Sequence, residues 1–203
     1  LSLSVNQAGG FIRSNPDRLR PNLQMYFAAI TYSMAPADER PLMQPDPYPG
    51  FLNSVGQLRP ASRGYLEIDS TEPGIHPKIF PNYYSAEEDV VEMLEGVRVM
   101  RAFAETPALS SIIKHEITPG LNIDSDDELI DDIRQRSSTV FHPTSTCIMG
   151  SNARDSVVDS EGLVHGVRQL RIVDASIFPT VISGNTNAPV IMVAEKIADQ
   201  ILA

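Results

Sequence analysis

The sequence is poor in the residues that mark several protein classes. A single cysteine, Cys147, stands in 203 residues, which excludes an internal disulfide and a cysteine-rich zinc site. Tryptophan is absent, so there is no Trp-based stacking platform. No apolar run approaches the ~20 residues of a membrane-spanning helix. Positive charge is scarce: 16 Lys and Arg face 26 Asp and Glu, a formal charge of -10. A surface that acidic repels phosphate backbones and argues against a nucleic-acid partner. No two glycines stand in G-x-G spacing, so a dinucleotide fingerprint is missing. There is no internal repeat and no low-complexity block.

What is present fits a folded chain with a core. Hydrophobic residues make up 42%, slightly under the globular average. The 16 prolines exceed the usual share of ~5% and predict many loops. The first residues, Leu1-Ser2-Leu3-Ser4, lack an initiator Met, a basic region and an apolar core. They read as the interior of a longer chain, whereas residues 194–203 read as a finished helix.

The run from Leu23 to Tyr32 is apolar without helical spacing and predicts a strand covered on both faces. Five prolines between Ala35 and Gly50 predict a semi-rigid surface loop. Short strands are expected over Ser54–Leu58 and Gly64–Asp69, with a turn between. Ser85-Ala86-Glu87-Glu88 has the form of a capping box opening a helix that Pro107 ends. A second, acidic helix is expected from about Ser125, its carboxylates near the positive end of the dipole and its charged face solvated. Those acids lack calcium-loop spacing and a glycine turn, so no metal site is expected. Val157–Asp159 and Leu170–Asp174 read as strands, the second leading into Ala175-Ser176 where α/β sheets place ligand loops. A last helix should open with Asn187 as cap and Pro189 at its first position.

Among four histidines, His142 has a distinctive context. It lies in Ser138-Thr139-Val140-Phe141-His142-Pro143-Thr144-Ser145-Thr146-Cys147, an uncharged, hydroxyl-rich stretch. A neutral imidazole there suits a general base near pH 7, since its unperturbed pKa is ~6.5. Ser183-Gly184-Asn185-Thr186-Asn187-Ala188-Pro189 leads into the last helix, whose free amides favour negative charge. Helix capping accounts for Asn187 and Pro189 but not for Gly184-Asn185. Cys147 has no base or positive charge beside it in sequence and reads as an inert thiol.

Five elements together carry a family resemblance. They are His142 to Gly150, Val158-Asp159, Val164-His165-Gly166-Val167, Leu170 to Pro179, and Ser183 to Pro189. In order and spacing they resemble the C-terminal signature of glucose–methanol–choline (GMC) oxidoreductases, in the choline dehydrogenase-like and aryl-alcohol branch. Leu58-Arg59-Pro60-Ala61-Ser62-Arg63-Gly64 and Pro81-Asn82-Tyr83-Tyr84 resemble its substrate-domain segments.

The resemblance implies an α+β fold. Residues 1–136 would supply a portion of an antiparallel-sheet substrate domain with helices. Residues 137–203 would complete an FAD-binding α/β domain lying upstream. It implies FAD as cofactor, a small-molecule alcohol as substrate, and an N-terminal FAD-binding half as partner, in the same protein or as a separate chain. His142 and Asn185 would be catalytic, the first taking the hydroxyl proton during hydride transfer to flavin N5 and the second bonding the same oxygen. Asp174, Ala175, Thr186, Asn187 and Ala188 would face the cofactor, and Phe141 the substrate. A hydroxynitrile lyase on the same scaffold and a non-catalytic binding domain are the alternatives.

Overall fold

A computed structural model describes residues 6–33 and 44–203. The chain divides into two compact units, Leu1–Gln57 with Val90–Ser137 and Leu58–Asp89 with Ser138–Ala203. Helices and antiparallel strands occur together, so the fold is α+β as expected.

In the first unit three strands form a sheet in the order β1–β2–β5. β1 spans Asn6–Ile12, β2 spans Leu23–Ala28 and β5 spans Leu52–Gln57, all antiparallel to their neighbours. A bulge between Asn6 and Ala8 shifts the β1 register, and such an extra residue bends an edge strand. β2 is central, and its end residues Leu23 and Ala28 are buried. β3 (Tyr32–Ser33) and β4 (Gln44–Pro45) make a separate two-stranded ladder. The expected strand over Leu23–Tyr32 is therefore interrupted after Ala28. Of the expected Pro-rich loop, residues 35–43 lie outside the described residues. Its remainder contains the short β4, whose proline sits in a ladder with no central strand.

Helix α1 covers Glu87–Ala104 and belongs to this unit from Val90 onward. Val90 and Met93 are buried. At Gly96 an added Cβ would stand 3.1 Å from a Val55 methyl and 3.3 Å from a Leu23 methyl. The missing side chain therefore lets the helix approach β2 and β5 closely. α2 (Pro107–Ser110) carries Pro107 in its first turn, where a missing N–H costs nothing. Pro107 thus opens a short helix, and α1 has already ended at Ala104. α3 (Asp126–Arg136) begins with the complete capping box of Ser125 and Glu128. Leu129 and Ile133 form its buried stripe, while Asp126 and Asp132 pair with Arg98 and Arg136 on its charged side.

The second unit is mostly irregular. β6 (Tyr65–Glu67) and β7 (Lys78–Phe80) pair in a small hairpin, shorter than the strand expected over Gly64–Asp69. α1 starts at Glu87, so Ala86 takes the cap position and Ser85 lies outside it. The carboxylate of Asp89, in the first turn, accepts from the Ala61 and Ser62 amides at 2.8 Å each. Ser62 Oγ accepts from the Ala86 amide at 3.1 Å. The helix start is thus secured by a distant turn instead of a local box.

Val157–Asp159 and Leu170–Asp174 were expected as strands, but only single bridges form: Met149 with Val158, Val158 with Val164, and Leu163 with Arg171. Their backbone groups bond to several different segments in succession, so no ladder extends. Val158, Ile177 and Ile197 form the core here, packed by Met149, Val164, Ile172, Val173 and Val193. Ile197 comes from α4 (Asn187–Leu202) and Ile177 from a 3-10 turn over Ala175–Ile177. Burying each such aliphatic side chain contributes about 1.5–3 kcal/mol. Few residues therefore anchor a long stretch of loop.

Candidate active site

The site lies within the second unit, where two loops meet. The first, residues 138–150, has two non-glycine residues in the left-handed region, Phe141 at φ 59° and Ser145 at φ 73°. Phe141's amide is satisfied by Thr139 Oγ1 at 3.0 Å. Strain of this kind persists only where surrounding contacts over-determine the backbone. Those contacts come from the 3-10 turn: the amides of Ser145, Cys147 and Met149 donate to the carbonyls of Ala175, Ser176 and Ile177 at 3.4, 2.9 and 2.9 Å. Asp174 caps that turn, its carboxylate accepting from the Ser176 amide at 2.8 Å.

The second loop precedes α4. Gly184 has φ 105°, a conformation that side chains rarely adopt, and it turns the chain so that Asn185 follows on the site side. Arg59 Nη1 donates to Ser183 Oγ at 2.6 Å and ties the loop's first residue to the segment after β5. Thr186 is the N-cap residue of α4. The expected cap, Asn187, is instead the first helical residue and Pro189 the third. Thr186 has a helical backbone, φ −82° and ψ −15°, and makes no side-chain capping bond; its hydroxyl is engaged elsewhere.

That engagement defines the site. The amide nitrogen of Asn185 stands 2.8 Å from His142 Nε2, and Thr186 Oγ1 stands 2.9 Å from His142 Nδ1. An amide NH2 only donates, so the Nε2 lone pair faces Asn185 and can accept a proton. Both ring partners are neutral. A carboxylate in either place would raise the imidazole's affinity for a proton and hold it charged.

Of the residues expected to act, the structure brings His142, Asn185 and Thr186 together. Phe141 is adjacent in the chain and 70% exposed. Asn187 and Ala188 are exposed in the first turn of α4. Asp174 and Ala175 make no hydrogen bond to the histidine; they hold the loop that carries it. The spacing of motifs gave no signal for Arg59, since 124 residues separate it from Ser183. His165 serves another loop, its Nε2 lying 3.1 Å from Ser156 Oγ and 3.2 Å from the Gly150 carbonyl. Among the described residues, no group of three or more His, Cys, Asp or Glu side chains could hold a metal ion. None of the described helices is long and apolar enough to cross a membrane.

Comparison with known proteins adds the lineage. Residues 60–194 match the model of the C-terminal GMC oxidoreductase domain. The chain is 44% identical over 197 residues to an oxygen-dependent choline dehydrogenase of Yersinia pseudotuberculosis, covering 96% of this chain and 33% of that protein. The chain therefore spans about a third of the length of the curated relatives it matches. A formate oxidase of Aspergillus oryzae superposes with a TM-score of 0.80 at 27% identity, over 90% of this chain and 32% of the other. Pyridoxine 4-oxidase from Mesorbium loti superposes with a TM-score of 0.84 at 24% identity, over 97% of this chain and 38% of the other, a likeness of fold.

Proposed function

The chain belongs to the GMC oxidoreductase family, and from that premise we propose that it is the C-terminal part of an FAD-dependent alcohol oxidoreductase. The single observation that carries this reading is the His142 imidazole held at both nitrogens by neutral groups, with the Nε2 lone pair toward Asn185. A neutral imidazole with these partners can take a proton from the substrate and release it again.

In this reading the alcohol oxygen enters between Nε2 and Asn185. It replaces their direct bond, accepts from the Asn185 amide, and offers its proton to Nε2. Asn185 orients the oxygen without competing for the proton, because its amide nitrogen has no basic lone pair. As the O–H bond breaks, the same amide stabilises the negative charge growing on oxygen. The chemistry supplied by bound FAD is acceptance of the hydride from the alcohol carbon. Phe141, exposed beside the base, faces the substrate's apolar part.

The residues at α4 suit such a cofactor. Asn187 and Ala188 are exposed, the helix has no side-chain cap, and Pro189 in the same turn carries no N–H. Uncapped amides at a helix start favour an electron-rich acceptor, as the oxygen-bearing edge of a flavin is. The carboxylate of Asp174 is occupied by the Ser176 amide, which leaves the backbone of Asp174-Ala175 to approach a pyrophosphate. In domain terms, residues 137–203 complete an FAD-binding domain supplied by an N-terminal half, and the substrate-facing portion is drawn from residues 1–136.

The test is anaerobic mixing of the full-length, FAD-loaded protein with a panel of alcohols that includes choline. Loss of the oxidised flavin's visible absorbance is expected with at least one alcohol. A flavin that stays oxidised throughout, with cleavage of a hydroxynitrile, assigns the lyase chemistry instead.

A further inference from the structure

We propose that Thr186 is a positioning residue that, opposite the donor Asn185, receives the Nδ1 hydrogen of His142 and so helps to hold the tautomer whose basic nitrogen faces the substrate. The inference deepens the proposed alcohol oxidation and rests on it for its consequence, though not for its geometry. Asn185 can only donate to Nε2, at 2.8 Å. A neutral imidazole carries one hydrogen, so that hydrogen must be on Nδ1. Thr186 Oγ1 lies 2.9 Å from Nδ1 and accepts it. In the opposite tautomer an N–H on Nε2 would face the N–H of Asn185, two donors within hydrogen-bond distance and no acceptor between them. With the Asn185 amide nitrogen toward Nε2, the hydrogen-bond pattern closes in one way.

A second observation supports the assignment. Thr186 occupies the N-cap of α4 with φ −82° and ψ −15°, and makes no side-chain capping bond. Threonine hydroxyls at this position normally accept from an amide two or three residues on. That capping needs an extended backbone; the helical backbone of Thr186 leaves its hydroxyl free of those amides, and it meets the imidazole instead. Threonine is also stiff at χ1, so a hydroxyl mounted on the start of a helix points in a defined direction. His165 shows the contrast: its Nε2 lies 3.2 Å from the Gly150 carbonyl, an acceptor only, and so that ring carries its hydrogen on Nε2 when neutral.

During the reaction the alcohol O–H bond breaks, its proton goes to Nε2, and the electron pair stays on the alcohol oxygen. The ring becomes an imidazolium whose Nδ1–H is still received by Thr186 Oγ1. The hydroxyl gains no proton and loses none. It stabilises the cation through one stronger hydrogen bond, less than a carboxylate would, so the proton is not trapped.

The experiment uses the full-length, FAD-loaded protein labelled with 15N-histidine. The His142 ring signals are assigned by their loss in His142→Ala. The neutral ring should show a protonated Nδ1 and an unprotonated Nε2. In Thr186→Val, which keeps the shape and removes the hydroxyl, the two tautomers should mix. Its turnover should fall about tenfold, as for loss of one orienting hydrogen bond, and the acid limb of its pH–rate profile should move to lower pH. Thr186→Ser should restore both the 15N pattern and most of the rate. A wild-type ring protonated on Nε2 overturns the proposal, even if the valine variant does not fold. A folded valine variant with the wild-type 15N pattern and rate overturns it as well. Full alcohol turnover by His142→Ala breaks the functional reading instead, and the tautomer measurement still decides the role of Thr186.

Discussion

Loops of the first unit and the His142 loop of the second are held by different means. In the first, charged side chains do the gathering. Glu95 accepts from Ser14, from Asn15 at 2.9 Å and from Arg18 at 3.1 Å. Glu92 accepts from Asn22 at 2.6 Å and Gln57 at 2.9 Å. Arg101 binds Glu116 through two nitrogens, at 3.0 and 3.1 Å, and reaches the Gly120 and Ile123 carbonyls at 3.3 and 2.8 Å. In the second unit the groups around His142 are an amide and a hydroxyl, and the loop that carries it is set by backbone bonds to the 3-10 turn. The difference follows from what each arrangement must do. An ion pair loses energy slowly with distance and can anchor a turn whose exact placement is unimportant. A proton acceptor needs its partners within hydrogen-bond reach of one atom, and a fixed charge beside it would shift its pKa.

Removing the base gives the largest expected effect. His142→Ala in the full-length protein should lower alcohol turnover by about 10²–10⁴-fold, with flavin loading unchanged by absorbance. Undiminished turnover would mean that the neutral cluster is merely structural and that the contrast between the units has no catalytic meaning.

The next effect concerns the small core beneath the loops. Ile177 is 1% exposed and packs with Val158 and Ile197. Ile177→Ala should cost about 2–5 kcal/mol, read as a lower denaturant midpoint. It should also loosen the His142 loop, since Met149 donates to the Ile177 carbonyl at 2.9 Å. A change below 1 kcal/mol, small for such a truncation, would show that backbone bonds alone carry this region.

Acid should act on the first unit through Glu95. Partial burial pushes its pKa up, but the bonds from Ser14, Arg18 and Asn15 outweigh that and hold it below the ordinary value. A folded-state pKa below the unfolded one contributes stability that is present above the unfolded value of ~4.3 and is lost as pH falls through the folded value. Glu95→Gln should therefore destabilise near neutrality, by about 1–2 kcal/mol after allowance for solvent screening. It should also flatten the acid limb of stability against pH. A parent and variant with equal slopes between pH 5 and pH 2, the range in which paired carboxylates titrate, would remove Glu95 as an anchor.

The smallest effect is local. Ser125→Ala breaks the capping box of α3 and should cost about 1 kcal/mol, seen as a lower Tm. The orientation of His142 should be unaffected.

Ser125 also shows what the sequence determined by itself. The acidic first turn after it announces a helix from about Ser125, and α3 starts where expected, whereas the box spacing of Ser85 with Glu88 was not realised. Apolar residues at helical spacing announced the middle of α1 and the body of α4. The order of five short motifs brought His142 and Asn185 into one reading before any distance was known. The start of α4 was different. Asn187 and Pro189 had the form of a cap and a first residue, yet the helix begins with Thr186 at its N-cap. Its hydroxyl is drawn to an imidazole 44 positions away. The expected strands over Val157–Asp159 and Leu170–Asp174 became bridges for the same reason, as their backbone groups found partners in separate loops. Arg59 met Ser183 with no local signal at all. A cap or a helical stripe is chosen among neighbours within a turn, and its energy depends on residues that the sequence lists side by side. A hydroxyl, an imidazole or an unpaired amide in a long loop chooses among every group that chain closure brings near. That choice exists only once the Val158–Ile177–Ile197 core has formed and placed the loops together.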